Sequence, residues 1–186
     1  MLIALITALA SAATYEIDPG HTYAGFSIEH MMVTDVHGAF TDVAGTILFD
    51  PAKVSETKAD VTIQATSIDT RLQKRDDHLR SPDFFDVAKF PAMTFRSKAV
   101  RNPAKGAFQL VGDLTIHGVT KEVVLDVKGP TPEYKDPWGN TKIGFSATTK
   151  INRKDFGLTW NKALEQGGLL VGEEVAITIE VEAAKK

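Results

Sequence analysis

Apolar and polar residues alternate with a period of two through most of this chain, and that alternation constrains its fold more than any other feature. In a strand, successive side chains point to opposite faces, so a period of two marks one buried face and one solvated face. In FQLVGDLTIH (108–117), Phe108, Leu110, Gly112, Leu114 and Ile116 share a face. Gln109, Asp113, Thr115 and His117 take the other, with Val111 as the apolar exception. VAITIEVE (175–182) sets Val175, Ile177, Ile179 and Val181 against Ala176, Thr178, Glu180 and Glu182. FSIEH (26–30), GTILFD (45–50), DVTIQATS (60–67), AMTFRSK (92–98), KEVVLDVK (121–128) and KIGFSATTKI (142–151) repeat the pattern. With the short TYEID (14–18), eight or nine strands are expected.

Turn chemistry separates these runs. Asp50-Pro51, Asn102-Pro103, Gly129-Pro130 and DPWGN (136–140) are turn or loop signals, and His117-Gly118 has the length of a hairpin turn. Strands at such even spacing predict an all-β fold, an antiparallel sandwich or a closed barrel. There is no repeat, low-complexity tract or linker, so residues 13–186 read as one domain.

One region breaks the rhythm: TRLQKRDDHLRSPDFFD (70–86). Thr70 with Gln73 fits a capping box, which predicts a helix from Arg71 toward Arg80 with an Asp76–Arg80 ion pair. Ser81-Pro82-Asp83 repeats the start signal and predicts a second, short helix carrying Phe84 and Phe85. This insertion needs an apolar surface for Leu72, Leu79, Phe84 and Phe85, and the end of a barrel supplies one.

Composition narrows the setting. MLIALITALASAA (1–13) is uncharged, apolar or small, and ends in the pattern of an export-signal cleavage site, so residues 1–12 read as a signal peptide lacking the usual basic start. The run is too short to span a membrane, so no stable membrane insertion is expected. Net charge is −3 with both signs interspersed, which argues against nucleic acid as a partner. With no cysteine, the fold has neither disulfides nor a thiol nucleophile.

Whether the interior is full or hollow is left open by composition. Large inward residues mix with small ones at mid-strand: Gly45, Ala65, Gly112 and Ala147. Small residues leave room for a ligand in an eight-stranded barrel, but glycines also mark bends and close backbone approaches.

The polar residues carry no recognised catalytic motif: G-x-S-x-G, H-E-x-x-H and a glycine-rich phosphate loop are all missing. The five histidines lack H-x-H or H-x-x-x-H spacing, so no metal site is expected. His30 shares the face of Phe26 and Ile28 and is expected to point inward. Arg75, Asp76, Asp77, His78 and Arg80 form either a solvated face or a polar rim. As an alternative, His30 or an Asp76/His78 pair is a candidate acid–base group of an enzyme acting on a lipid or prenyl substrate. INRKDFGLTW (151–160) reads as a strand ending in a turn plugged by Phe156 and Trp160, with Arg153 and Asp155 beside it.

Taken together, YEIDPGHTYAGFSIEHMMVTDVHGAF, RDDHLRSPDFFDVAKFPAMTF, GDLTIHGVTKEVVLDV, INRKDFGLTWNKALEQGG and VAITIEVEA resemble the YceI-like polyisoprenoid-binding proteins over residues 14–183. The resemblance implies an extended, lipocalin-like, antiparallel eight-stranded barrel with the helical insertion near its mouth. It also implies an interior pocket for a polyisoprenoid, an isoprenoid quinone or a similar long-chain amphiphile, and no enzymatic activity or required cofactor. A periplasmic or secreted location and, in some members, a homodimer belong to the same expectation. Strand alternation then nominates Phe26, Ile28, His30, Ile63, Ala65, Met93, Phe95, Leu110, Gly112, Leu114, Phe145 and Ala147 as ligand contacts. Phe84, Phe85 and Trp160 join them as aromatic cover, with His30, Arg75 and His78 as head-group candidates.

Overall fold

The computed structural model describes residues 12–165 and 167–186. The predicted signal peptide, Ala12 apart, lies outside the described residues. In chain order the elements are β1 (Ala13–Ile17), β2 (Tyr23–His30), β3 (Thr34–Phe40), β4 (Val43–Phe49), β5 (Lys58–Gln64) and β6 (Ile68–Asp69). They continue as α1 (Gln73–Arg80), β7 (Ala92–Ala104), β8 (Ala107–Ile116), β9 (Val119–Lys128), β10 (Tyr134–Lys135), β11 (Thr141–Asn152) and β12 (Val171–Lys185).

Eight strands close into an antiparallel barrel in the order β1–β4–β5–β7–β8–β9–β11–β12, and β12 returns to β1. Closure removes the exposed edges that an open sheet of this length would present. The barrel is extended because β12 serves two neighbours in succession. Its end, Ala183–Lys185, pairs with β1, whereas Val171–Glu180 pairs with β2. β2 in turn pairs with β3, and β3 with the two-residue β6. One end of the molecule, called lower here, is thus closed by β1; the upper end is built from β2, β3, β6 and α1.

α1 is held across the upper end by Arg80, whose Nε and Nη2 donate to the carbonyls of Thr66 and Ile68. Phe85 meets Phe40 of β3 edge-on, ring centroids 5.6 Å apart. This is the helical insertion expected from the sequence.

Its details differ from the expectation. The helix begins at Gln73 after Leu72, and the capping box does not form: Gln73 donates to Asp77 instead. Arg71, where the helix was expected to start, has φ 65° and turns the chain. Asp76 does not pair with Arg80. It is buried and accepts from Thr70 N and Oγ1, so the N-terminal turn of α1 is tied down from inside. Arg80 meets Asp77. The second helix is replaced by successive turns, in which Ser81 accepts from Asp83 N through Oγ and from Phe84 N through its carbonyl.

The reading of strands and turns also changes. DVTIQATS ends as a strand at Gln64; Ala65–Ser67 is a 3₁₀ turn in which Ser67 Oγ accepts from Thr41 N and Asp42 N. Asn102-Pro103 lies within an irregular stretch of β7, and the chain reverses at Lys105-Gly106 instead. β3 was not foreseen, because Gly38 interrupts its apolar face of Val36 and Phe40. β6 and β10 are too short to show a period. The His117-Gly118 hairpin is as expected, both residues having positive φ.

Candidate functional site

The barrel is hollow: its inward side chains enclose a cavity of about 410 Å³. The lower part is walled by Ile17, Ile47, Phe108, Val127, Phe145 and Val181, one residue from each of six barrel strands. Ala147 sits above Phe145 on the same face of β11 and leaves the axis open. The middle is lined by Ala59, Val61, Ile63, Phe95, Leu110 and Leu114, and the upper part by Phe26, Ile28, Phe40, Phe84, Phe85, Met93 and Trp160.

The charged side chains of the lining all stand at the upper end: Glu29 and His30 from the end of β2, Arg75 and His78 from α1, and Arg153 just after β11. His78 Nε2 lies 2.8 Å from Asp83 Oδ2, and its ring stands edge-on to Phe84 and Trp160, 5.1 and 4.9 Å between centroids. Arg75 donates from Nε to Thr70 Oγ1 (2.7 Å) and from Nη2 to Thr70 O (2.6 Å). The Thr70 hydroxyl passes its own hydrogen to Asp76, so Arg75, Thr70 and Asp76 form one connected unit. The Asp76/His78 pair is therefore not assembled as an acid–base couple: Asp76 is committed to Thr70, and His78 to Asp83.

Arg153 is the surprise. It opens the 3₁₀ turn Arg153–Phe156, in which Asn152 Oδ1 accepts from Lys154 N and Gly157 ends the turn at φ 80°. Phe156, 2 % exposed, anchors that turn in the core and drags Arg153 inside with it, to 4 % exposure. Nε donates to Gly172 O at 2.8 Å and Nη1 donates to Leu158 O. Burial pulls the guanidinium pKa down, opposed by the nearby charge of Glu173. Among the described residues, two buried side-chain polar atoms lack a partner, Arg153 Nη2 and Thr22 Oγ1, and both residues line the cavity. Thr22 precedes the Tyr23–Glu180 pair and Arg153 follows Asn152–Glu174, six residues along β12 and so roughly 20 Å apart at ~3.3 Å per residue.

Two nominated residues do not line the cavity. Ala65 is buried in the 3₁₀ turn, hydrogen-bonded to Pro91 O rather than placed on a strand face. Gly112 lies under Phe95 and contributes no open space. Gly45 is also no cavity-maker, because a Cβ there would stand 2.3 Å from Asp60 O on the neighbouring strand. Phe26, Ile28, His30, Ile63, Phe84, Phe85, Met93, Phe95, Leu110, Leu114, Phe145, Ala147, Trp160, Arg75 and His78 are all brought together in the lining.

Asp18, His21 and Glu182 gather at the lower end within metal-ligand range. A cation of the chain itself already pairs with both carboxylates: Lys142 Nζ lies 2.6 Å from Asp18 and 3.0 Å from Glu182.

The sequence of the YceI-like domain family matches residues 15–183. This chain belongs to the YceI-like family. The protein YceI of Salmonella newport is 38% identical over 182 residues, covering 97% of this chain and 91% of that one. A crystal structure of the Campylobacter jejuni YCEI protein superposes with a TM-score of 0.71 at 39% identity, over 85% of this chain and 90% of that one. A polyisoprenoid binding domain from Saccharophagus degradans shares the fold, with a TM-score of 0.67 at 16% identity over 96% and 100% of the two chains. The hollow barrel is thus the architecture of a YceI-like protein. Among its described residues, no helix is long and apolar enough to cross a membrane.

Two features of this YceI-like cavity escaped the sequence reading. Arg153 read as packing beside Phe156, because nothing in INRKDFGLTW says which side of the turn faces the barrel axis. Thr22 carries no pattern at all. The signal that could have flagged Arg153 is its spacing from Phe156: the Asn152 cap and Gly157 define a tight turn, and a residue three before its buried aromatic shares the inward side while Lys154 and Asp155 face out.

Proposed function

We propose that this YceI-like protein is a non-enzymatic carrier or reservoir for a polyisoprenoid, an isoprenoid quinone or a similar long-chain amphiphile, working in the periplasm or outside the cell. One observation carries the reading: a cavity of about 410 Å³ with apolar walls along its length and charged groups only at one end. That polarity matches an amphiphile. Burying about ten methylenes yields roughly 8 kcal/mol before the cost of ordering the chain, so the tail alone gives useful affinity. The polyisoprenoid binding named for the Saccharophagus degradans domain supports the same class of ligand. The apolar, small-residue pattern of residues 1–12 supports export. The separation of Asp76 from His78 supports binding over catalysis.

The test is extraction of the detergent-free purified protein into organic solvent, followed by mass spectrometry, with uptake of added farnesol by the emptied protein as the companion measurement. A near-stoichiometric long-chain amphiphile in the extract, or saturable uptake, is expected. Clean extracts together with no uptake overturn the reading.

A further inference from the structure

The upper end of the cavity holds a positive charge that the chain itself leaves unmatched. Arg75 is matched: through Thr70 it is linked to the buried carboxylate of Asp76. Arg153 is not. Its two partners, the carbonyls of Gly172 and Leu158, supply dipoles but no charge, and a guanidinium does not shed its proton at ordinary pH. Glu173 acts on it from the surface, but that carboxylate is already held by Lys154. Glu29, the acid of the lining, is itself exposed to solvent. A buried guanidinium beside a cavity, with one nitrogen lacking a partner, is costly to maintain, and an oxyanion answers both its charge and its missing hydrogen bond.

We propose that the ligand's head group is an oxyanion, a phosphate or a carboxylate, and that Arg153 Nη2 is the donor that selects it over a neutral quinone or alcohol. This rests on the lipid-binding reading and specifies its head-group chemistry. The Nε and Nη1 bonds to Gly172 and Leu158 hold the guanidinium still, so Nη2 presents its hydrogens in a set direction. Tails and heads then divide the work: the apolar walls accept any chain of suitable length, and Arg153 discriminates by charge.

The experiment is equilibrium binding to the delipidated full chain, at mildly alkaline pH, of two matched pairs: farnesyl phosphate with farnesol, and palmitate with hexadecanol. In at least one pair the anion is expected to bind about tenfold or more tightly than its alcohol, the scale of a charge-assisted hydrogen bond. Preference in the first pair alone assigns a phosphate source, in the second alone a carboxylate source, and in both a general oxyanion site. Arg153→Gln is expected to abolish the preference, each anion then binding no more tightly than its own alcohol in the same variant. If that variant does not fold, the comparison within the unaltered protein still decides. Equal affinity for anion and alcohol in both pairs overturns the proposal while leaving lipid binding intact. No binding of any of the four probes overturns lipid binding itself, and this proposal with it.

Discussion

Gly112 lies beneath the ring of Phe95: a Cβ built on the glycine would stand 2.5 Å from Phe95 Cζ and 2.6 Å from the carbonyl of Arg96. The two residues face each other across β7 and β8 near the pair Ser97–Gly112. The missing Cβ at Gly112 leaves the place that the Phe95 ring fills. Ala147, also small, instead lines the cavity.

Substitution at these two positions is therefore expected to diverge. Gly112→Val forces the Phe95 ring and the β7 backbone to move and should cost about 1–3 kcal/mol in urea unfolding. Ala147→Phe fills the void and should change stability by less than about 1.5 kcal/mol, yet abolish farnesol uptake. An Ala147→Phe protein that binds as before would show that the tail does not pass that level.

Asp76 should matter for folding and not for any reaction. Its carboxylate takes both hydrogens that Thr70 offers and is 5 % exposed. Asp76→Ala should destabilise by about 2–4 kcal/mol, because two buried donors lose a charged acceptor and Arg75 loses its anchor. Asp76→Asn keeps one acceptor and should lose less. Chemical denaturation curves of the pair check both the size and the order.

The β2–β3 turn carries strain that a different sequence would relieve. Met31 and Met32 both have positive φ, 56° and 58°, in the turn closed by Val33 N donating to His30 O. Side chains with a Cβ disfavour that region, and Asn-Gly is the natural occupant. Replacing the two with Asn-Gly is expected to raise stability by about 1 kcal/mol, read as a higher midpoint in thermal melts. An unchanged or lower midpoint would mean that Met32, which lies against Gly168, repays the strain through packing.

Acid should weaken the lower end. Lys142, then His21 and the Gly20 amide, hold the Asp18 carboxyl down at about 2. A depressed folded pKa adds stability above the unfolded value of about 3.9, and that stability is lost as pH falls toward the folded value. Unfolding free energy should therefore drop between about pH 4 and pH 2. In Lys142→Met the drop over that window should shrink, because the principal cause of the shift is gone. Urea midpoints measured across the window check it.

Much of this molecule was readable before any coordinates. The alternation at 108–117 and 175–182 marks β8 and β12, and inward pointing of Phe145, Leu110 and Ile63 follows directly from it. The broken rhythm at 70–86 marks the insertion over the barrel end. What failed did so for local physical reasons. Ala65 continues an alternating run, but Pro91 O and the Ser67 hydroxyl stop the strand with hydrogen bonds that no period reveals. Asp76 and Arg80 stand at ion-pair spacing, yet buried Thr70 takes the carboxylate while Arg80 is committed to the carbonyls of Thr66 and Ile68.

The sequence by itself determined the antiparallel strands and most of their inward faces, because alternation depends on near neighbours along the chain; closure into a barrel followed only from the family resemblance. Only the tertiary structure decided which small residues make room for a ligand and which make room for a ring, and that Arg153 is buried with a nitrogen to spare. Those outcomes depend on what strands distant in the chain place opposite a residue. A void or an unmatched charge belongs to the space between side chains, and no single stretch of sequence contains it.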